Sequence, residues 1–216
     1  MKSIARKTAA IALAAAAALF ALPAGAATDV TWTATPLTAS STSIRTDGTL
    51  KYAYARGAYT ANGVAFTGVG NGIVNTENCV VWEASGGAGN AVSSPPSDTE
   101  SGDYKNLLSN GWWANGKARP IALKNLESGK RYLVQIIAFR SDYTTQSATA
   151  PDGTTVARFA GTGWEYGGSL ICQFTAEATT EEFTISYSGQ ALINAIQVRE
   201  LPSDEPAEKP VVIFVK

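Results

Sequence analysis

Two aromatic clusters are the residues of this sequence best suited to bind a ligand. The first is Trp112-Trp113, which lies between two Asn-Gly turn signals. Neighbouring residues on a strand point to opposite faces, so one indole should enter the core and the other should face solvent. An exposed indole can stack on the apolar face of a sugar ring while polar neighbours bind the hydroxyl groups. The alternative is that both tryptophans close the end of a β-sandwich.

The second cluster is Trp164-Glu165-Tyr166, which glycines flank on both sides. On an extended backbone Trp164 and Tyr166 share a face, with Glu165 opposite. The glycines allow the loop to bend and present both rings to a ligand. The two rings could equally form a lid that packs over the mouth of the fold.

The long loop that holds the second cluster, residues 140–168, also carries Asp142, Tyr143 and Asp152-Gly153. Carboxylates and loop carbonyls are suitable ligands for a structural calcium ion. The loop lacks the alternating aspartates of a calcium-binding loop, however, and ordinary turn chemistry explains these residues better. We therefore group Asp142 and Tyr143 with the aromatic clusters as predicted ligand-binding residues, and we predict neither a metal site nor an organic cofactor.

Residues that could support catalysis are scarce. The chain has no histidine, which removes Ser-His and Cys-His nucleophile systems and the commonest transition-metal ligand. It also lacks a Gly-rich phosphate loop and a G-x-S-x-G nucleophile motif. Glu77 and Glu83 are the best carboxylate pair for a glycosidase, but the residues between them have the character of a core strand. The sequence therefore predicts a non-catalytic protein, with a carboxylate-based glycoside hydrolase as a lesser alternative.

The amino-terminal segment predicts export. Residues 1–27 combine a basic start, an apolar run and a small-residue end in which Ala24 and Ala26 form an A-x-A-like cleavage site. The apolar run, at roughly 14 residues, is shorter than the roughly 20 residues of a membrane-spanning helix. We therefore expect a signal peptide, a mature chain that begins at Ala27 or Thr28, and no transmembrane anchor. The expected location is secreted, periplasmic or at the cell surface.

The charge of the chain argues against nucleic acid as a partner. The sequence contains 17 basic and 18 acidic residues, and the leader accounts for three of the basic ones and none of the acidic ones. The mature chain is therefore mildly acidic and has no cluster of lysine and arginine. A nucleic-acid binder needs a basic face that displaces counterions from phosphates.

The two cysteines, Cys79 and Cys172, would meet an oxidising environment after export. An even number of cysteines in such a chain favours one disulfide. The alternative is a pair of buried, unpaired thiols. A reactive thiol is not indicated, because no histidine or basic cluster is present to activate it.

The elements that must position these residues are β-strands. Short runs rich in Thr, Val, Ile, Tyr and Phe alternate with Gly, Asn, Asp and Ser, a pattern typical of an all-β fold. We predict a jelly-roll β-sandwich over residues 28–201, with at most one short helix near 103–109. The predicted strands are 50–55, 63–66, 121–123, 131–139, 169–176, 182–187 and 191–201.

The carboxyl-terminal residues differ from this domain in composition. Residues 202–210 are rich in proline and acidic side chains and predict a linker. The apolar run 211–216 could be an added edge strand, the start of another domain, or a tail that pairs with the edge of another chain. The sequence does not indicate an oligomeric state.

The order of several short motifs resembles that of a repeated, exported bacterial domain of the galactose-binding-like, jelly-roll class, which is frequent in Planctomycetes and Verrucomicrobia. The motifs that carry the resemblance begin with Gly48-Thr49-Leu50 and Asn62-Gly63-Val64, continue with Tyr104-x-x-Leu107-Leu108 and Leu126-x-x-Gly129-x-x-Tyr132-x-Val134-Gln135, and end with Phe174-Thr175-Ala176 and Asn194-Ala195-Ile196. The resemblance implies binding of a carbohydrate or cell-surface polymer and no assigned catalytic role.

These observations predict an exported, non-catalytic module that binds a glycan or a cell-surface polymer through loop aromatics. The alternative from another class is a structural or adhesive surface protein, in which the sandwich is a spacer and the apolar tail mediates assembly.

Overall fold

The structure is a computed structural model that describes residues 26–70, 74–81, 88–114, 118–141, 147–157 and 167–203. Nearly all the regular elements in these ranges are β-strands. In chain order the elements are β1 (Thr28–Pro36), β2 (Thr49–Ala55), β3 (Tyr59–Ala61), β4 (Val64–Gly68), β5 (Val74–Asn75), β6 (Cys79–Val81), β7 (Ala88–Val92), α1 (Asp103–Ser109), β8 (Asn110–Ala114), β9 (Ala118–Lys124), β10 (Arg131–Phe139), β11 (Ser147–Thr149), β12 (Thr155–Ala157), β13 (Gly167–Thr175), β14 (Thr180–Tyr187), β15 (Ala191–Ile193) and β16 (Ala195–Glu200).

The strands form two large sheets and one small one. The seven-stranded sheet has the order β1-β13-β10-β16-β2-β4-β3, the six-stranded sheet the order β12-β11-β14-β9-β6-β5, and the small sheet the order β15-β8-β7. Most neighbours are far apart in sequence, as the crossing connections of a jelly roll require. The predicted all-β sandwich is confirmed. The predicted central strand at residues 131–139 is confirmed as well, because β10 lies between β13 and β16.

The main core lies between the two large sheets. It includes Tyr132, Val134 and Ile136 on β10, and Ile121 and Leu123 on β9. Alternate residues of a strand face opposite sides of its sheet. We call the side of the seven-stranded sheet that faces the six-stranded sheet its inner face, and the other side its outer face.

A second core covers one end of the outer face. The helix α1 packs its buried residues Tyr104, Leu107 and Leu108 there, close to Ile137 and Phe139 of β10. The helix has the bounds that the sequence predicts, and it ends where Asn110 adopts an extended backbone. Both faces of this sheet are therefore covered, which explains the nearly continuous burial of β10.

The predicted disulfide between Cys79 and Cys172 is not formed. Both residues are free thiols and are fully buried in the main core. Cys79 lies on β6 in the six-stranded sheet, and Cys172 lies on β13 in the seven-stranded sheet. Stacked sheets are about 10 Å apart, whereas a disulfide joins Cα atoms within roughly 7 Å. Burial raises the pKa of the Cys79 thiol to about 12, which makes it unreactive.

The division into a leader, a domain at 28–201 and a tail at 202–216 stays a prediction. Most of the leader and the tail lie outside the described residues. Within the described ranges, no helix has the length and hydropathy needed to cross a membrane.

Candidate functional site: a hydroxyl-lined pocket on the outer sheet face

The candidate site begins with the edge strand β1. Trp32 points into the main core, whereas Thr31, Thr33 and Thr35 are exposed on the outer face. Thr33 lies opposite Ile171 of β13, and Thr35 lies opposite Ser169. This alternation of apolar and hydroxyl side chains is that of a half-buried strand. It provides a row of threonines beside an apolar floor.

The segment after β1, residues 37–48, crosses the outer face and returns to β2; we call it the strap. Leu37 and Ile44 are almost fully buried in the second core and anchor its first half. Between them, Ser40 caps a 3-10 turn at Ser41–Ser43 by accepting a hydrogen bond from the Thr42 amide.

Two side chains outside the strap fix this turn. The Tyr104 hydroxyl donates to the Thr38 carbonyl at 3.0 Å. The Glu100 carboxylate accepts from the Ser41 amide at 2.7 Å and from the Ser41 hydroxyl at 3.1 Å. The backbone bond to Ser41 is the main reason that the pKa of Glu100 lies below its ordinary value.

The middle of the strap is bound to the sheet by two fully buried glutamines. Gln135 Nε2 donates to the Ser43 carbonyl at 2.7 Å, and Gln135 Oε1 accepts from the Arg45 amide at 2.9 Å. Gln197 Nε2 donates to the Arg45 carbonyl at 3.0 Å and to Gln135 Oε1 at 2.7 Å. Because buried amides need partners, this network specifies both the path and the register of the strap.

The end of the strap is held by Arg199, which is buried. Its guanidinium donates to the carbonyls of Thr46 at 3.1 Å, Asp47 at 2.7 Å and Gly48 at 3.0 Å. Gly48 has a φ of +68°, and a Cβ atom there would lie 2.1 Å from the Glu200 carbonyl oxygen. Only glycine fits at this position.

A pocket of about 210 Å³ lies between the edge strand and the strap. Ile171 and Pro36 supply its apolar surface, and the Arg45 side chain lines it as well. The remaining lining residues carry hydroxyl groups: Thr35, Thr38, Thr42 and Ser43. Thr38 and Ser43 are already paired, with 2.8 Å between their side-chain oxygens. The pocket wall is therefore ordered before any ligand enters.

Arg45 is the one charged side chain in the pocket lining. Its Nε donates to Asp47 Oδ2 at 2.6 Å, and this bond is the main reason that the pKa of Asp47 lies below its ordinary value. In the described part of the chain, the two terminal amines of the Arg45 guanidinium make no hydrogen bond. A planar guanidinium held at Nε in this way presents its remaining donors to an incoming oxygen ligand.

This chemistry suits the binding of an oxygen-rich ligand. Hydroxyl groups both donate and accept hydrogen bonds, and a guanidinium donates to carboxylate or hydroxyl oxygens. The pocket lining contains no carboxylate, thiol or lysine that could act as base or nucleophile. In the ranges that the structure describes, no cluster of acidic and cysteine side chains could hold a metal ion.

The predicted aromatic pair Trp112-Trp113 lies elsewhere, on β8 of the small sheet. Trp112 is the core member: it is 2% exposed, and its Nε1 donates to the Gly70 carbonyl at 3.1 Å. It is therefore closed to a ligand. Trp113 is partly exposed. The predicted role of Trp113 in sugar binding stays a prediction, and the pair does not join the outer-face pocket.

The other predicted ligand residues, Asp142, Tyr143, Trp164 and Tyr166, lie outside the described residues. Asp152 is described, and its carboxylate accepts from the Thr154 amide at 2.9 Å, as in an ordinary turn.

Sequence reasoning missed the pocket altogether. Two signals for it are present: the alternation of threonines at residues 31, 33 and 35, and the run rich in serine and threonine at residues 38–46. Both are common in exposed strands and loops, so neither identifies a site by itself. Only the folded chain brings the threonines of β1, the strap with Arg45, and Ile171 of β13 to the same place.

Comparisons with protein-family models, curated proteins and solved structures gave no match. The resemblance to galactose-binding-like domains therefore stays a prediction.

Proposed function

We propose that this protein is an exported, non-catalytic binding module for a carbohydrate or another hydroxyl-rich cell-surface polymer, and that the outer-face pocket holds one unit of it. The observation that carries the proposal is the pocket itself: four hydroxyl side chains and one guanidinium surround an apolar floor. Sugars need this combination, because their hydroxyl groups are bound by polar side chains while their C–H faces rest on apolar ones.

The size of the pocket supports a polymer over a large free ligand. Ligand pockets for drug-sized molecules enclose roughly 300–1,000 Å³. A pocket of about 210 Å³ suits a single sugar residue, with the rest of the polymer lying along the exposed threonines of β1. A unit that carries a carboxylate gains a charge-assisted bond to Arg45, so we expect acidic polysaccharides to bind more tightly than neutral ones.

The test is binding of the purified, exported protein to a panel of neutral and uronic-acid polysaccharides, followed by calorimetry on the best ligand. Thr42→Val removes one hydroxyl and should weaken binding by about 3- to 10-fold. Arg45→Gln removes the charge and should weaken binding of an acidic ligand by about 10- to 100-fold. Thr184→Val is the matched control, because Thr184 is an exposed strand threonine on the other large sheet.

Three results would count against the proposal. If the whole panel fails to bind, the structural or adhesive function is favoured. If binding is found but neither pocket variant weakens it, the site lies elsewhere, and Trp113 is the next residue to change. If Thr184→Val weakens binding as much as Thr42→Val, the effect does not come from the pocket. Thermal unfolding of each variant verifies that it is folded.

A further inference from the structure

Glu181 is a buried acidic residue on the inward side of β14. It is 4% exposed and shares that side of the strand with Ile185 and Tyr187, which belong to the main core. Burying a carboxylate is costly unless it is paired and hydrogen-bonded. Within the described ranges, no lysine or arginine forms an ion pair with Glu181.

Among the described residues, its hydrogen-bond donors are three backbone nitrogen atoms. Glu181 Oε1 accepts from the amides of Glu177 at 2.8 Å and Ala178 at 3.0 Å. Glu181 Oε2 accepts from the backbone nitrogen of Ala27 at 3.1 Å. The two oxygen atoms thus have different roles: one closes a local turn, and the other binds a residue 154 positions away.

Ala27 occupies a defined place at the start of the domain. Its side chain packs against the main core, whereas Ala26 is exposed. The sequence predicts leader cleavage after the A-x-A motif that ends at Ala26, and it leaves Ala27 and Thr28 as alternative first residues. The contact with Glu181 distinguishes between them, because only a chain that keeps Ala27 retains the nitrogen that Oε2 binds.

We propose that Glu181 is the acceptor for a new amino terminus created when a leader peptidase cleaves the Ala26–Ala27 bond. Hydrolysis consumes one water molecule: the leader leaves with the carboxylate of Ala26, and the nitrogen of Ala27 becomes a primary amine that takes up a proton. The resulting ammonium lies where the amide lay, 3.1 Å from Oε2. It supplies the positive charge that a buried carboxylate requires.

Processing would then complete the sandwich at this edge. The ion pair connects the residue before β1, in the seven-stranded sheet, to β14 in the six-stranded sheet. A second bond, from the Thr28 hydroxyl to Glu177 Oε1 at 2.8 Å, joins the start of β1 to the turn that leads into β14. The inference is independent of the proposed polymer binding, because Glu181 and Ala27 take no part in the pocket.

The first test is to express the full precursor in an exporting bacterial host and determine the mature mass and amino-terminal sequence. We expect Ala27 as the first residue. A mature chain that starts at Thr28, or at any other residue, would overturn the proposal. This measurement does not depend on the folding of any variant.

The second test measures the α-amino group of the mature protein. Free α-amines have a pKa of about 7.7–8.0, and a carboxylate partner raises it. We expect an NMR titration of the wild type to give an α-amino pKa above that range. We also expect an α-amine-selective acylating reagent to react about tenfold faster with Glu181→Gln than with the wild type, because lowering the pKa by one unit raises the fraction of unprotonated amine tenfold.

Glu182→Gln is the matched control, because Glu182 is the exposed neighbour on the opposite side of β14. It should react like the wild type. An ordinary α-amino pKa in the wild type would refute the pairing, as would equal reaction rates for wild type and Glu181→Gln. If Glu181→Gln fails to fold, the titration of the wild type alone decides.

Discussion

The two faces of the seven-stranded sheet are built from the same strands but are stabilised in different ways. On the inner face, β10 contributes Tyr132, Val134 and Ile136 to an apolar core. On the outer face, the same strand contributes Ile137 and Phe139 to the second core at one end, and beside the pocket it contributes Gln135, which bonds to the strap and to Gln197. Apolar burial is non-directional, so it stabilises without fixing positions to a fraction of an ångström. Hydrogen bonds have narrow geometric limits, so the outer face can place a pocket wall accurately.

Stability and positioning are therefore largely separated in this domain. Changes to the inner face should lower the free energy of unfolding while leaving the pocket intact in molecules that remain folded. Changes to the outer network should do less to stability and more to the pocket.

Phe174→Ala should have the largest effect on stability. Phe174 is almost fully buried on the inner face, with ring centroids 5.8 Å from Tyr132 and 5.2 Å from Phe183. Removing a buried phenylalanine ring lowers the free energy of unfolding by about 3–5 kcal/mol. Urea unfolding measures the loss, and ligand affinity at low temperature should be unchanged. A large loss of affinity in the folded variant would show that the two faces are coupled.

Arg199→Met should have an intermediate effect on stability and a large one on the strap. It leaves the carbonyls of Thr46, Asp47 and Gly48 without their donor. Each unpaired buried group costs about 1–3 kcal/mol, but carbonyls at the rim of the strap can bind water instead. We therefore expect the free energy of unfolding to fall by about 2–4 kcal/mol. Ligand affinity should fall as well, because the strap forms the pocket wall.

Lys51→Met is the control for this substitution. Lys51 is a cation on β2 of the same sheet, and its ion pairs within the described residues, with Glu127 and Glu200, are partly exposed to solvent. Such pairs contribute at most about 1 kcal/mol. Equal losses of stability in Arg199→Met and Lys51→Met would show that the buried guanidinium does not hold the strap.

The strands that enclose the main core were more predictable than the hydrogen-bond network of the outer face. Apolar alternation and run length indicate β10 and β14, because these patterns are local. The helix α1, which covers one end of the outer face, also has a local signal in the spacing of Tyr104, Leu107 and Leu108. The long predicted strand at 191–201 is instead divided by Asn194. This buried amide donates to the Leu108 and Asn110 carbonyls and accepts from the Phe139 amide. Partners that are 55 or more positions away leave no local pattern.

The glutamine network of the outer face was not predictable for the same reason. In the sequence, Gln135 is a single polar residue within an apolar run, and nothing near it in the chain indicates a hydrogen-bond partner. Its partners in the strap precede it by 90 or more positions. The predicted disulfide is wrong for a related reason. The number of cysteines can be read from the sequence, but the positions of Cys79 and Cys172 on two different sheets cannot.

The smallest expected effect concerns acid pH, and it tests whether the strap is positioned by its carboxylates. Glu100 holds the turn at Ser41, and Asp47 holds the Arg45 side chain. Both have a lowered pKa, because Ser41 hydrogen-bonds to Glu100 and Arg45 to Asp47. A lowered pKa means that the contribution is complete above the ordinary values of about 3.9 for Asp and 4.3 for Glu. It is lost as the pH falls through the folded-state values.

Between pH 7 and 5 we therefore expect constant ligand affinity and a constant protection factor for the Ser41 amide, which is its hydrogen-exchange rate relative to the intrinsic rate at the same pH. Below about pH 4, the Ser41 protection factor should fall while global unfolding, followed by circular dichroism, changes little, because both carboxylates are exposed to water. The double variant Glu100→Gln, Asp47→Asn should lack this local step, since neither side chain titrates. A step that persists in the double variant would mean that the strap responds to some other group. Unfolding of the whole domain in the same pH range would mean that the strap cannot be loosened without loss of global stability, which would contradict the separation of stability from positioning.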